Sequence, residues 1–530
     1  MSTQCPLCDS IQTKRYGTTA NGSRKYCCEV CNNVFTEAIE SNLSPPEINF
    51  LRFKKYLLIR RVSTHIQSQV RYLKKLKIKQ NQQIQKTQIL SKSISKKANQ
   101  VTGFCIDQLL ILVLALKHFL ISDIPKFIAN KHKYQHKTGA LFGDRKNYKW
   151  GIIGFLFTIL IYGFICIWLK IDINQPQAHD SYTLQALAWR SGYLELPQDY
   201  NWLELAKYQG KVFLSFPPVP TIPMLLLTFF FGEKTPSTWL VIACFFSSYV
   251  IAYKLLRRFQ NSDLQSATWA VFLICGSSYL DISLFGWVWY MAQSMSFVLT
   301  LSCLLCLTYS SRKIQAIGLF CFALALGCRP LQAIYTPILL SFVYYKNQRQ
   351  TIRQTIQAMI PILIAPTLVV IALGTLNFVR FNSIFEFGIT YLPEFATEPQ
   401  FSLSHILNHT RIFSEFPIIS ADKLQIPGFG FAFYVANPIF IILLLRIIMP
   451  SPKNRTDWFL LCCIIFHFLF LLTHRTFGGW QFGTRYLIDL LPFVLVLCTR
   501  FKQPLRIHEI VIIIFGLVFN IYGTIIFHSS

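Results

Sequence analysis

The chain has 530 residues, of which 53% are hydrophobic and only 14% charged, and its mean hydropathy is +0.40. Soluble globular proteins carry about 25% charged residues, so this composition excludes a wholly soluble protein and an intrinsically disordered one. The charge is unevenly distributed, because residues 1–149 hold 26 Lys or Arg against 8 Asp or Glu and so carry +18 of the total +27. We therefore expect a basic N-terminal region followed by a long hydrophobic body.

The first 40 residues contain two cysteine pairs with the spacing of zinc ligands. Cys5 and Cys8 form one C-x-x-C turn, and Cys28 and Cys31 form a second. Zinc takes four such ligands at tetrahedral corners, and each turn directs two thiolates at one site. The pattern predicts a structural zinc site within residues 1–40, with Cys27 left over. The opening residues do not read as a cleavable signal peptide, since they lack a basic stretch followed by an apolar one.

The spacing of this segment resembles a known kind of zinc ribbon. The motif C-P-x-C, followed by Gly17, Tyr26-x-Cys28-x-x-Cys31 and Phe35, is similar to the start of insertion-element transposase accessory proteins. That resemblance implies a bound zinc ion. Nucleic-acid binding by the ribbon is a weaker expectation, because ribbons also serve as protein docking modules.

Residues 41–149 are predicted to be a basic helical linker. Apolar residues recur at steps of three and four from Ile59 to Leu76, which describes an amphipathic helix with a basic face. Such a helix suits an anionic leaflet, phosphate groups or a coiled coil, and a solvated linker near a membrane is the plainest alternative. The apolar stretch at 104–122 is interrupted by Asp107 and Lys117, and we interpret it as an interfacial helix that does not cross the membrane.

The body, residues 150–530, predicts an all-α polytopic membrane domain with about 11 transmembrane helices. Residues 151–169 are uncharged and would span about 28 Å as a helix, close to the thickness of the hydrocarbon core. Ten further apolar segments lie at 237–253, 266–284, 286–309, 314–328, 330–345, 355–377, 430–449, 458–473, 485–499 and 509–527.

The distribution of charge between the segments supports this topology. If the N-terminus is cytoplasmic, all five cytoplasmic turns are basic, as the positive-inside rule requires. These turns lie at 254–258, 312–313, 346–353, 446–455 and 500–506. The apolar stretch at 217–232 is short and broken by prolines, and counting it as a crossing would invert every later loop. We therefore place it at the outer surface.

Two large outer loops follow from this topology, at 170–236 and 378–429. They contain most of the acidic residues of the body. Transporters of this size usually have short loops and bind their substrate at the midplane between repeated halves, and the sequence shows no internal repeat. Carboxylates above an apolar helical bundle favour chemistry at the outer membrane face.

Four segments of the body resemble the GT-C superfamily, the polytopic glycosyltransferases that use lipid-linked sugars. This family includes protein mannosyltransferase-like and RgtA/B/C/D-like members. The first loop has an acidic residue soon after the first span, in Ala178-His179-Asp180-Ser181-Tyr182, and then G-K-x-F and P-P-x-P. The second segment, Gly327-Cys328-Arg329-Pro330, is similar to G-x-R-P at the outer end of a middle span.

The third and fourth segments lie further along the same predicted face. Residues 377–388 resemble Y-N-x-x-R-F-G-S-P-x-E-x-G-Y, with departures at Leu376, Asn382, Ile384 and Thr390. Residues 478–487 resemble G-G-W-x-F-G-x-R-Y-L. The ribbon is not part of the usual architecture of this family.

The resemblance implies an inverting transfer from a polyprenyl-phosphate-linked sugar to a glycan, lipid or protein acceptor at the non-cytoplasmic face. A carboxylate must then take the proton of the acceptor hydroxyl, and cations must stabilise the leaving phosphate. The expected catalytic residues are Asp180, as the base, and Asp281, as a second outer acid. The expected substrate-binding residues are Arg485, Arg329, Glu386 and Trp480. A divalent cation in catalysis is left open.

These residues also have structural interpretations. Asp180 can cap the helix that begins at Ser181. Asp281 can likewise be a boundary residue at the end of a helix. Arg485 can snorkel to the interface, and Trp480 can be an interfacial anchor. Asp489 lies inside a span, where an acidic residue is a functional candidate by default.

Two other classes of function are compatible with parts of the sequence. A lipid or glycan transporter or flippase would have many spans, but the spans here carry few charges. A membrane-anchored DNA-binding or sensor protein would use the ribbon and the basic linker, but it would leave the outer loops unexplained. For the glycosyltransferase we expect the plasma or inner membrane of a bacterium, with the N-terminus in the cytoplasm.

Overall fold

A computed structural model of the protein describes residues 5, 12–18, 24–36, 148–395, 398–420, 423–448, 454–500 and 504–529. The chain divides into two units, Met1–Gly143 and Asp144–Ser530. The linker predicted at 41–149, with its interfacial helix at 104–122, lies outside the described residues except for its last two positions.

The N-terminal unit contains a three-stranded antiparallel sheet with strand order β1-β2-β3. The strands are β1 (Thr13–Thr18), β2 (Arg24–Cys28) and β3 (Val34–Thr36). Tyr26 pairs with Phe35 across the sheet, and the two rings stack with their centres 6.1 Å apart. The sheet carries Cys28 at the end of β2, where the chain turns toward Cys31.

The second unit is a helical bundle, and six helices in its described part are long and apolar enough to cross a membrane. They are α1 (Lys149–Leu169), α4 (Thr238–Arg258), α7 (Val288–Cys306), α10 (Ile352–Phe381), α14 (Arg455–Leu472) and α16 (Ile507–Ser529). The predicted polytopic helical fold is confirmed by these elements.

The other predicted spans correspond to shorter elements. They are α5 (Asp263–Cys275) with α6 (Tyr279–Ile282), α8 (Arg312–Leu326), α9 (Thr336–Asn347), α12 (Phe433–Ala436) with α13 (Ile439–Ile448), and α15 (Leu491–Arg500). Two of them follow 3-10 helices, Pro330–Tyr335 before α9 and Arg485–Leu490 before α15.

The count of about 11 single spanning helices is therefore confirmed for six. The sequence presented continuous apolar runs, but local breaks divide them. Gly276 ends α5, and Pro330 begins a 3-10 helix. Pro438 stands immediately before α13, where its missing N–H costs nothing.

The segment predicted as the first outer loop is folded. It contains α2 (Ser181–Arg190), a hairpin of β4 (Leu205–Tyr208) and β5 (Lys211–Leu214), and α3 (Thr221–Phe231). With 11 residues, α3 is about 17 Å long, too short to cross a hydrocarbon core of about 30 Å. This agrees with the prediction that residues 217–232 do not form a span.

The second outer loop consists of short elements. Three 3-10 helices, Ile389–Tyr391, Pro393–Phe395 and Leu403–His409, are followed by α11 (Arg411–Ser414) and a hairpin of β6 (Ile418–Ser420) and β7 (Lys423–Gln425). The loop packs back on the bundle, because Ser402 N donates to Thr473 O and Arg475 N to Gln400 O, both at 2.8 Å.

Two acidic side chains, Asp263 and Glu509, join helices of the bundle. Asp263 accepts hydrogen bonds from the backbone of Trp150 at 2.9 Å and of Gly151 at 3.0 Å, so it satisfies the exposed N–H groups at the start of α1. Arg446 on α13 holds Glu509 on α16 through two hydrogen bonds of 2.5 and 2.9 Å. These contacts fix the bundle that supports the outer loops.

Candidate active site

Asp180 lies directly before α2 and is 7% exposed. Its Oδ1 accepts from Thr183 N at 3.0 Å and its Oδ2 from Thr183 Oγ1 at 2.5 Å. The carboxylate thus caps α2, as the structural interpretation predicted. Burial raises the pKa of Asp180 to about 6, although the hydrogen bonds from Thr183 act in the opposite direction. A carboxylate with this pKa can exchange a proton near neutral pH.

Tyr182, in the first turn of α2, joins three outer segments. Its hydroxyl donates to Pro217 O at 3.0 Å. The side chain interacts electrostatically with Asp180, Arg329 and Arg380. The first loop, the turn before α9 and the outer end of α10 therefore converge here.

Trp289 connects the same region to the turn before α15. Its ring centre lies 5.6 Å from that of His179, the neighbour of Asp180. Its Nε1 donates to Glu204 Oε2 at 3.0 Å, and Arg485 Cζ lies 5.7 Å from its ring centre. The structure thus places Arg485 and His179, the residue before Asp180, against the same tryptophan.

Arg485 follows a glycine-rich turn that fixes its position. Gly483 has φ +65°, and a Cβ there would lie 2.5 Å from the Cβ of Ala436, so a larger residue does not fit. Arg485 N donates a hydrogen bond to Gln481 Oε1 at 3.0 Å, and Arg485 O accepts one from Gln293 Nε2 at 2.7 Å. The backbone of the arginine is held on both sides.

The guanidinium of Arg485 is buried among aromatic rings. The residue is 6% exposed, and Cζ lies 5.7, 5.9 and 5.2 Å from the ring centres of Trp289, Tyr290 and Tyr486. Among the described residues, its Nε has no hydrogen-bond partner. A snorkelling arginine would place its charge in water, and this burial differs from that interpretation.

Arg329 also lies against the Tyr486 ring, with Cζ 4.9 Å from the ring centre. Its Nε donates to Asp489 Oδ2 at 2.8 Å, and Gln293 Nε2 donates to Asp489 Oδ1 at 3.0 Å. Asp489 is therefore the counterion of Arg329. The two arginines predicted to bind substrate both contact Tyr486, but within the described residues only Arg329 has an acidic partner at hydrogen-bond distance.

Asp281 and Trp480 lie at the outer end of α16. Asp281 is 1% exposed and its Oδ1 accepts from His528 Nε2 at 2.8 Å. Trp480 is 58% exposed and stacks on Phe527, with ring centres 5.3 Å apart. This placement of Trp480 fits the interfacial anchor. Asp281 also interacts electrostatically with Tyr290, whose ring contacts Arg485.

Glu386 is engaged in its own turn. Its Oε1 accepts from Gly388 N and its Oε2 from Thr390 Oγ1, both at 2.5 Å. The side chain also interacts electrostatically with Arg380. The structure brings Glu386 close to the outer end of α10, with both carboxylate oxygens occupied.

A cavity of about 340 Å³ opens beside Glu204. It lies between the β4–β5 side of the first loop and the second loop, and its polar lining consists of Asp199, Tyr200, Asn201, Glu204, Lys207, Tyr391 and Glu394. Lys207 pairs with Asp199 at 2.5 Å. Partial burial of the Glu204 carboxyl raises its pKa, while the hydrogen bond from Trp289 opposes this shift.

Sequence reasoning missed Trp289, Tyr486 and Glu204. Aromatic residues near the ends of spans are usually interfacial anchors, so their type and position gave no signal. Glu204 stood in an outer loop with several other acidic residues. Only the packing of the first loop on α7, where Glu204 accepts from Trp289, distinguishes it from those other acidic residues.

The N-terminal unit contains a separate candidate metal centre. The thiols of Cys5, Cys28 and Cys31 lie within 4.8 Å of one another, and Cys5 Sγ is 3.6 Å from Cys31 Sγ. Tetrahedral zinc with Zn–S bonds of about 2.3 Å separates its sulfurs by about 3.8 Å. The three thiols thus form a cluster that could hold a metal ion, while Cys8 lies outside the described residues.

Comparisons with known proteins give likenesses of fold. No family model and no curated protein matches the sequence. ArnT from Cupriavidus metallidurans bound to undecaprenyl phosphate is similar to 69% of this chain, with 10% identity and a TM-score of 0.45. An oligosaccharyltransferase from Archaeoglobus fulgidus in the apo form is similar to 73%, with 12% identity and a TM-score of 0.43. The matched parts cover 62% and 56% of those chains, under two thirds of their length.

Proposed function

We propose that this integral membrane protein is an inverting glycosyltransferase that uses a polyprenyl-phosphate-linked sugar at the non-cytoplasmic face. One observation carries the proposal: the buried Arg485, whose Nε has no partner among the described residues, lies against Trp289, which also contacts His179 next to Asp180. A buried cation is costly unless an anion pairs with it. A phosphate monoester or diester provides that anion.

The two arginines have distinct roles in this proposal. Arg485 binds the phosphate through its planar fork of donors. Arg329 is held by Asp489 at 2.8 Å, so it contributes positive potential and the fixed position of Tyr486. Together they stabilise the negative charge that develops on the phosphate as the sugar leaves.

Asp180 is the base. As the acceptor hydroxyl attacks the anomeric carbon, its proton passes to the Asp180 carboxylate. The bond from that carbon to the phosphate oxygen breaks, and its electron pair remains on the lipid phosphate. Capping of α2 and proton transfer are compatible, because a carboxylate has about four lone-pair sites and Thr183 occupies two.

The acceptor fits the cavity beside Glu204. Its lining combines carboxylates and an amide with two tyrosines, which suits the hydroxyl groups and apolar faces of a glycan. The excess of acid over Lys207 disfavours a second phosphate there. We therefore place the donor phosphate at Arg485 and the acceptor on the Glu204 side.

The direct test replaces Asp180 with Asn in the full chain and measures transfer from radiolabelled polyprenyl-phosphate sugars. Asn caps helices about as well as Asp, so α2 and donor binding should persist, while transfer should fall by about 10²-fold or more, the usual contribution of a general base. Substantial transfer by this variant would move the search for the base to Asp281.

For the N-terminal unit we propose a structural zinc ion held by Cys5, Cys28, Cys31 and Cys8. The thiolate set and the sulfur separations are the support. Zinc supplies the folding energy that so short a segment lacks in apolar core. We further propose a bacterial plasma or inner membrane, with this unit in the cytoplasm, on the basis of the basic turns.

A further inference from the structure

Tyr290 is a buried hydrogen-bond donor without an acceptor. It lies in the first turn of α7 and is 1% exposed. Its hydroxyl has no hydrogen-bond partner in the described part of the chain. Buried polar groups almost always have partners, and an unmade hydrogen bond costs free energy. This hydroxyl therefore needs an explanation.

Arg485, which contacts the Tyr290 ring, also has a buried donor without an acceptor among the described residues. The guanidinium carbon of Arg485 lies 5.9 Å from the Tyr290 ring centre, and Arg485 Nε is also buried and unpartnered within the described residues. Two side chains that contact each other thus each have a donor without an acceptor among the described residues, and one of them is a cation, so together they suit an anion. A neutral acceptor would leave the charge of the arginine uncompensated.

The ring of Tyr290 is held independently of any ligand. It stacks on Trp287 with ring centres 5.0 Å apart at 30°, and Trp287 stacks on Phe285 at 4.9 Å. The direction of the hydroxyl is thus set before a ligand arrives, and binding loses little side-chain freedom.

We propose that the Tyr290 hydroxyl donates a hydrogen bond to the phosphate that Arg485 binds. Tyr290 is then a second binding residue for the donor, and this inference rests on the proposed function. The competing acceptor is Asp281, which interacts electrostatically with Tyr290 and whose Oδ2 is unpartnered among the described residues. Its Oδ1 is held by His528 at 2.8 Å.

The test compares Tyr290→Phe with the parent in the full chain. The probes are a short-chain polyprenyl phosphate and the corresponding polyprenol, and the affinity for each is measured by calorimetry. The variant should bind the phosphate about tenfold more weakly, the value of one hydrogen bond to a charged group, and bind the polyprenol as the parent does. Tyr249→Phe is the matched control, because its buried hydroxyl is already bonded to Gly151 O at 2.8 Å, and it should leave both affinities unchanged.

The outcomes separate the possibilities. Equal phosphate affinity in Tyr290→Phe and parent overturns the inference, and if its melting temperature also falls, the hydroxyl serves Asp281. A parent that binds the phosphate no better than the polyprenol overturns the proposed function itself. If Tyr290→Phe does not fold, a fluorinated tyrosine at position 290, a stronger hydrogen-bond donor, should bind the phosphate more tightly, and unchanged affinity there overturns the inference.

Discussion

At the scale of single residues, the site depends on where charge is buried. Asp180 and Arg485 are 7% and 6% exposed, although the sequence places Asp180 in a predicted loop and Arg485 at the end of a predicted span. The sequence predicted both residues, but it left open the cap of α2 for one and snorkelling for the other. Burial changes the proton affinity of Asp180 and leaves Arg485 without water, and neither effect is visible in residue type.

The pH dependence of transfer tests the base. Only the ionised carboxylate can take the proton of the acceptor, so kcat/KM should be low below the pKa of Asp180, about 6, and should rise to a plateau above it. A pH–rate profile of the full chain with saturating acceptor gives the measurement. The residual activity of Asp180→Asn should lack this rise, and a profile that is flat between pH 5 and 8 would contradict the role.

Replacement of Arg485 by Lys tests the phosphate contact. The ammonium keeps the charge but loses the planar fork, so KM for the donor should rise about ten- to hundredfold. Expression and membrane insertion should remain normal, as fluorescence-detected gel filtration can show. An unchanged dependence of the rate on donor concentration would return Arg485 to the snorkelling interpretation.

At the scale of elements, the helices and loops behave differently. Apolar length identified six helices of spanning length, because a helix must satisfy its own backbone in lipid. The same signal overstated the length of the other five segments: α8 is one short helix, and Gly276 and several prolines divide the other four. Short helices such as α2 and α3 depend on contacts: Arg190 of α2 donates to Thr228 O of α3 at 2.5 Å and lies over Phe229 at 4.5 Å.

The ribbon provides a prediction for one element. Cys8→Ser in the full chain should lower bound zinc from about one ion per chain, measured by atomic absorption after dialysis, because one of four thiolates is lost. Cys27→Ser is the matched control. Cys27 pairs with Val34 across β2 and β3 and is not part of the thiol cluster. The Cys27→Ser variant should therefore keep its zinc. Equal metal content in the two variants would rule out the proposed ligand set.

At the scale of the whole molecule, topology decides whether the site faces the donor. Arg485 and Arg329 meet at Tyr486, and Arg485 and the segment of Asp180 meet at Trp289. The basic turns predict that this site is outside. A transporter would use charged groups within the spans to bind its substrate, and here the buried Arg446 and Glu509 pair with each other.

Cysteine labelling tests this orientation. Trp202→Cys and Leu407→Cys, at positions 62% and 78% exposed, should react with an impermeant maleimide in intact cells, while Gln350→Cys should react only after permeabilisation. Cys462, an exposed native cysteine, should be replaced first. Labelling at position 350 from outside would invert the topology and place the candidate site in the cytoplasm.

The sequence by itself determined the membrane class, the spanning helices and the cysteine spacing of the ribbon. These features follow from local rules: apolar length, the charge of turns and the reach of a C-x-x-C loop. The tertiary structure decided which outer residues meet. The packing of the first loop and of the Arg485 turn on α7 brings Trp289, Glu204 and Tyr290 together. Some of these contacts join residues nearly two hundred positions apart, such as Gln293 and Arg485. No local pattern encodes such contacts, because each depends on the simultaneous folding of several segments.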